Sequence, residues 1–190
     1  MSHPNQAGSP AGAVRVPRPV PDEYAQVFAD EIALVPDHDD FGQQLRDQLA
    51  ATRALVERFG EEHAAHRYAD GKWTVRETIG HLADCERVLS YRLLRALRGD
   101  GTVLAGFDHV GYVGAGRFEA RSLASVVAEF AAVRAATIAL VSDTPVTLFD
   151  FRLPVGKGHI SARALAYLIA GHELHHQALL RERYWPAIGS

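Results

Sequence analysis

The 190 residues contain a single cysteine, Cys85, so no disulfide can form within the chain. Net charge is also scarce: 20 Lys and Arg against 23 Asp and Glu leave only −3. That balance gives no electrostatic basis for binding nucleic acid, and the lack of a basic run removes one for a membrane surface. No stretch of eighteen apolar residues occurs, so no segment is expected to span a bilayer. The opening "MSHPNQAGSPAGAVRVPRPVP" lacks the apolar block of a secretory signal and is rich in Pro, Gly and Ala. It reads as a flexible or loosely draped tail over residues 1–20, ahead of one domain over 21–186 that is long enough to bury a real core. No internal repeat is visible, and a cytoplasmic protein is the expectation.

What is present is helical periodicity. Four long patterns each carry a start or stop signal. The first follows Asp39 or Asp40 as cap, repeats Phe41, Leu45, Leu49, Leu55 and Phe59, and stops at Gly60. The second opens on Thr74 followed by Glu77, a reciprocal capping box, and carries Val75, Ile79, Leu82, Leu89 and Leu93. The third has Ser122 as cap and Leu123, Val126, Val127, Phe130, Val133, Ile138 and Val141 facing inward. The fourth runs from Ser161 to Pro186. A shorter candidate, "DEYAQVFADEIALV", precedes them. Four helices of about 30 Å each predict an all-α four-helix bundle. The connections near residues 100–120 and 143–160 are long enough for crossovers, and β-structure in "VTLFDFRLPVGKGHI" is not expected.

Ten histidines are many for this length, and their positions matter more than their number. In the fourth helix the apolar stripe Leu165, Leu168, Ile169 continues into His172 and His176 before Leu179 and Leu180. Residues four apart share a helix face, so two imidazoles stand where Leu would be expected. A buried imidazole without a partner is costly, and a shared cation is one remedy. His81 neighbours the stripe of the second helix, about two turns from its start. With the two helices antiparallel, His81, His172 and His176 come to one depth, near one end of the bundle, as three nitrogen ligands of a metal with an open position. Taken alone, His81 reads as an ordinary core residue; the His172 and His176 pair is the stronger sign. Cys85, one turn from His81, reads as a small buried hydrophobe rather than a ligand or reactive thiol. His109 and Tyr112 belong to a loop that could cover the site, and Trp73 is expected nearby.

"GHELHHQALL" also fits the H-E-x-x-H pattern of zinc peptidases through His172, Glu173 and His176. Those enzymes take a third ligand downstream of the motif. Only Glu182 follows here as a carboxylate, and a bundle offers no edge strand for an extended substrate. The peptidase reading fails.

The segments "KWTVRETIGHLADCERV", "SLASVVAEFAAVRAAT" and "SARALAYLIAGHELHHQALLRERY" together resemble the DinB-like (damage-inducible) superfamily. Its marks are Trp73-Thr74 before the second helix, a His seven residues after that Thr, and the His-x-x-His-His run ending at His176. The resemblance implies an up-down-down-up four-helix bundle and a homodimer. It also implies a divalent metal, zinc or nickel, on His81, His172 and His176. The superfamily includes transferases and isomerases that use low-molecular-weight thiols such as bacillithiol and mycothiol.

Three functional readings follow. The first is a transferase acting on a small-molecule substrate, with a thiol cosubstrate activated at the metal. The second is a metal-dependent hydrolase of a small molecule, for which Glu173 or Asp84 is the available base; Asp84 could equally orient the ring of His81. The third is a non-catalytic, metal-binding stress-response bundle.

Overall fold

The computed structural model describes residues 13–156 and 158–188. Among these, the helices are α1 (Ala29–Ala33), α2 (Phe41–Phe59), α3 (Val75–Leu97), α4 (His109–Ala115), α5 (Leu123–Ser142) and α6 (Ala162–Leu179). Each long helix starts on a side-chain cap. Asp40 accepts from the amide of Gln43, Ser122 from that of Ser125, and Ser161 from that of Ala164. At α3, Thr74 Oγ1 accepts from the Glu77 amide while Glu77 Oε2 accepts from the Thr74 amide. Gly60 ends α2 with φ +66°, a conformation that glycine adopts without steric cost.

Pairwise contacts give the direction of each helix. Phe41 stacks near Tyr167 and Phe59 near Trp185, so α2 and α6 run parallel. Thr78 lies beside Tyr184 while His81 meets His172 and His176, so α3 opposes α6. Arg76 bonds to Glu119 and Glu86 to Arg134, which makes α3 and α5 parallel. The bundle is therefore up-down-down-up. The last turn of α6 widens into a π-helical segment (Leu180–Tyr184) before a 3-10 turn (Trp185–Ala187).

The core forms two apolar clusters with a polar layer between them. One gathers Phe41, Leu45, Leu93, Val141 and Leu165; the other gathers Phe59, Val75, Ile79, Phe130 and Tyr184. Between them every long helix turns polar inside. Gln48 and Thr52 come from α2, His81 and Glu86 from α3, Arg134 and Thr137 from α5, and Glu173, His176 and Gln177 from α6, all buried. The expected inward stripe of α5 is thus corrected at its centre. Val133 and Ile138 are half-buried, and Arg134 with Thr137 takes the interior. Among the described helices α5 is long and apolar enough to cross a membrane by length and composition. Here it packs against α2 and α3 and holds Arg134 at the middle of the bundle.

The connection after α5 also departs from expectation. It carries an antiparallel hairpin, β1 (Arg152–Val155) with β2 (Gly158–Ser161), in which Leu153 faces Ile160 and both are buried against the first cluster. The facing pair Leu153 and Ile160, with Gly156 at φ +57° in the turn, explains it. Residues 1–12 of the predicted tail lie outside the described residues. Residues 13–20 lie against the bundle: Val16 is buried, its carbonyl accepts from the Tyr167 hydroxyl, and the Val14 carbonyl accepts from the Phe41 amide.

Candidate metal centre

His81 reaches inward from α3, and His172 and His176 reach inward from successive turns of α6. One ring nitrogen from each lies within 4.8 Å of the others. Nε2 of His81 and Nε2 of His172 are 3.1 Å apart. Two imidazole nitrogens at that distance require a proton or a cation between them. Nδ1 of His176 is buried without a hydrogen-bond partner among the described residues. The cluster lies in the polar mid-layer, between the two apolar clusters, and not near one end of the bundle.

Burial, followed by the neighbouring His172, His109 and His175, pulls the pKa of His81 down to about 3. Burial, then His172 and His81, holds His176 well below its ordinary value. Both rings are therefore neutral at physiological pH, the form that donates a lone pair to a metal. Three convergent imidazole nitrogens, one ring carrying an unmatched buried atom, fit a borderline divalent cation such as zinc or nickel.

The surroundings add a carboxylate that sequence reasoning did not supply. Glu31 of α1 lies 3.3 Å from Nδ1 of His172, leaving Nε2 to face the cluster. Gly171 makes this contact accessible, because a Cβ there would stand 2.1 Å from the Glu31 carbonyl oxygen. Only the bare backbone lets α1 lie directly on α6. Glycine within "IAGHELHH" was the available signal. Trp73 stacks 4.5 Å from the His81 ring, as expected. Cys85 lines the same wall, its Sγ 3.5 Å from Nδ1 of His81, and burial, with Asp84 and Glu31 adding to it, pushes the thiol up to about 12.

These groups open onto a cavity of about 380 Å³. His109 and Phe107, from the 100–120 connection, form one side of it, whereas Tyr112 stays outside. The two carboxylates proposed as bases are elsewhere. Asp84 pairs with Arg87, and Glu173 is buried on a neighbouring face of α6, bonded to Arg134 and Thr52. Neither lines the cavity, and the ring of His81 contacts Cys85 and His172 rather than Asp84. Burial raises the pKa of Glu173 despite Arg134, and burial likewise raises that of Asp84.

Arg134 and Glu86 were missed altogether. Arg134 donates through Nε and Nη2 to both oxygens of Glu86 at 2.7 Å and through Nη1 to Glu173 at 2.5 Å. Burial alone would lower the pKa of this guanidinium, but Glu86 and Glu173 more than offset it and hold it above the usual arginine range. The sequence signal was a charged residue at the same stripe position in three helices.

A family model of the DinB superfamily matches residues 44–180. The chain belongs to the DinB superfamily. No curated protein matches it. This DinB-superfamily bundle is similar to the solved structure of YfiT from Bacillus subtilis, with a TM-score of 0.71 and 21% identity, over 79% of this chain and 87% of that one. YfiT is described as a "probable metal-dependent hydrolase with an unusual four-helix bundle topology". At that identity the likeness concerns the fold.

Proposed function

We propose that this protein is a metal-dependent enzyme that transfers a low-molecular-weight thiol to a small electrophile, with His81, His172 and His176 holding a zinc or nickel ion. The observation that carries the reading is the convergence of three imidazoles from two helices on the wall of a cavity sized for a small molecule. A divalent cation held by these three residues would supply the acidifying charge that lets a thiol ionise to its nucleophilic thiolate near neutral pH. Glu31 orients His172, and Trp73 packs against His81, so both rings keep their direction toward the cluster. The thiol gives up its proton, its sulfur bonds to the electrophilic carbon, and the leaving group departs with its electron pair. His109 and His175 line the cavity and are within reach to accept that proton.

Thiol chemistry suits the site because it needs no dedicated carboxylate base. Glu173 and Asp84 both point away from the cavity. A hydrolytic reading is favoured by one observation, the presence of Glu31 on the cavity wall, where it could take a proton from water.

The two readings separate in one assay series. Zinc- or nickel-loaded protein is offered a panel of thiols with a chromogenic electrophile such as 1-chloro-2,4-dinitrobenzene, and separately a panel of activated esters and amides. The thiol reading expects metal-dependent conjugation that is lost in His81→Ala and largely retained in Glu31→Gln. Ester or amide cleavage abolished by Glu31→Gln, with no conjugation of any thiol, would overturn it in favour of hydrolysis.

A further inference from the structure

The cavity at the histidines adjoins a second one of about 290 Å³ beneath the hairpin, and Phe28, Leu89, Leu168 and Arg92 line both. His81, Cys85, Leu89 and Arg92 follow one another at spacings of four, four and three along α3, which puts them on one face. Arg92 is half-buried on that face. Its Nη2 donates to the Ala105 carbonyl at 2.9 Å, and its guanidinium carbon lies 5.3 Å from the centroid of the Phe107 ring. Arg76, Arg95, Arg121, Arg134 and Arg163, the other described arginines that are buried or half-buried, each pair with a carboxylate. Arg92 has no such pair among the described residues. A guanidinium withdrawn from water without an anion is unfavourable, and burial correspondingly lowers its pKa.

This continuous space is lined by Glu31, by Arg92 and, beneath the hairpin, by Asp22, which pairs with Arg152. Glu31 is on the wall at the histidine end, and Arg92 stands at the waist. An anionic ligand group finds an unpaired counter-charge at Arg92, with Phe28, Leu89 and Leu168 as apolar surface leading from there to the histidines. Eleven residues of helix separate His81 from Arg92, about 16 Å along the axis, and helical side chains lean back toward the N-terminus, so the ligand spans roughly 10 to 15 Å.

We propose that Arg92 is the anchor for a carboxylate on an elongated, partly aliphatic substrate or cosubstrate whose other end reacts at the histidine cluster. One guanidinium matches one carboxylate, and its planar fork can engage both oxygens. The proposal rests on the metal-enzyme reading only for the identity of the reacting end; the anion anchor stands on Arg92 itself.

The test uses the full-length, zinc-loaded protein and four probes in calorimetric titrations: 8-mercaptooctanoate, 8-mercapto-1-octanol, octanoate and 1-octanol. Each acid should bind about tenfold or more tightly than its matching alcohol. The gap should close in Arg92→Met, persist in reduced form in Arg92→Lys, and survive in His81→Ala. Equal affinity of acid and alcohol in the wild type overturns the anchor, as does an acid preference untouched by Arg92→Met. Failure of the metal reading looks different: mercaptooctanoate would bind no better than octanoate while the preference for acids remained.

Discussion

The polar mid-layer holds two clusters that α3 and α6 share, and they differ in one respect. In the Glu86–Arg134–Glu173 cluster every charged atom has a partner. Both oxygens of Glu86 and all three guanidinium nitrogens are bonded, and Glu173 Oε1 accepts from Thr52, whose hydroxyl in turn accepts from Gln177. The histidine cluster, on the cavity side of α6, has two nitrogens facing each other at 3.1 Å and a buried Nδ1 with nothing bonded to it. One set is complete within the protein, and the other leaves a buried ring nitrogen unmatched among the described residues. Closed networks of this kind specify packing, whereas open ones bind. The same contrast separates Arg134 from Arg92, the one satisfied by carboxylates and the other facing open space.

The largest effect should come from breaking the closed cluster. Arg134→Met leaves two carboxylates buried without a counter-charge, and a loss of about 3–5 kcal/mol is expected in urea denaturation, with or without metal. Adding Glu86→Gln and Glu173→Gln to that variant should restore part of it, since the uncompensated charges are then gone. Next comes the open cluster. Zinc at a hundred times its dissociation constant should stabilise the wild type by about 2.7 kcal/mol, and His81→Leu should abolish that gain. In metal-free protein His81→Leu should cost little, because it removes a buried imidazole rather than a satisfied one. If the metal-free variant collapsed as Arg134→Met does, the distinction between the clusters would fail.

Gly171→Ala tests how α1 serves the open cluster. The new methyl group meets the Glu31 backbone, so α1 must move and carry its carboxylate away from His172. A loss of about 1–3 kcal/mol is expected, together with weaker zinc binding in a titration. The smallest effect is pH dependence. His81 stays neutral in the fold down to about 3, while in the unfolded chain it takes a proton near 6.5. The unfolded state therefore binds more protons below 6.5, and metal-free protein should lose stability as pH falls from there. The limit is about 1.4 kcal/mol per pH unit for this group. His81→Leu should flatten the slope measured by urea midpoints between pH 5 and 7.5.

Much of this could be read in the sequence because it is local. Asp40, Thr74 with Glu77, Ser122 and Ser161 mark four helix starts through hydrogen bonds reaching three residues ahead, and each bond is present in the fold. His172 and His176 share a face by periodicity alone, and their meeting with His81 required only an antiparallel pair of helices. The long-range polar contacts were not legible. Glu86, Arg134 and Glu173 each sit on an apolar stripe, but which of them pair is decided only when three helices are brought together. The closeness of Glu31 to His172 depends on a glycine contact between segments about 140 residues apart. The β-hairpin went unread because Pro154, Gly156 and Gly158 sit within a short run whose only strand signal is the pair Leu153 and Ile160.

The central claim is that three imidazoles hold one divalent ion and leave room for a thiol, and cobalt(II) substitution tests it most directly. Titration of metal-free protein with cobalt should saturate at one ion per chain and give the intense visible bands of a low-coordinate nitrogen site. Adding 8-mercaptooctanoate should then produce a near-ultraviolet sulfur-to-cobalt charge-transfer band. His81→Ala, His172→Ala and His176→Ala should each remove the saturable signal. A wild-type spectrum indistinguishable from that of cobalt in buffer, or one unchanged by all three substitutions, would contradict the account.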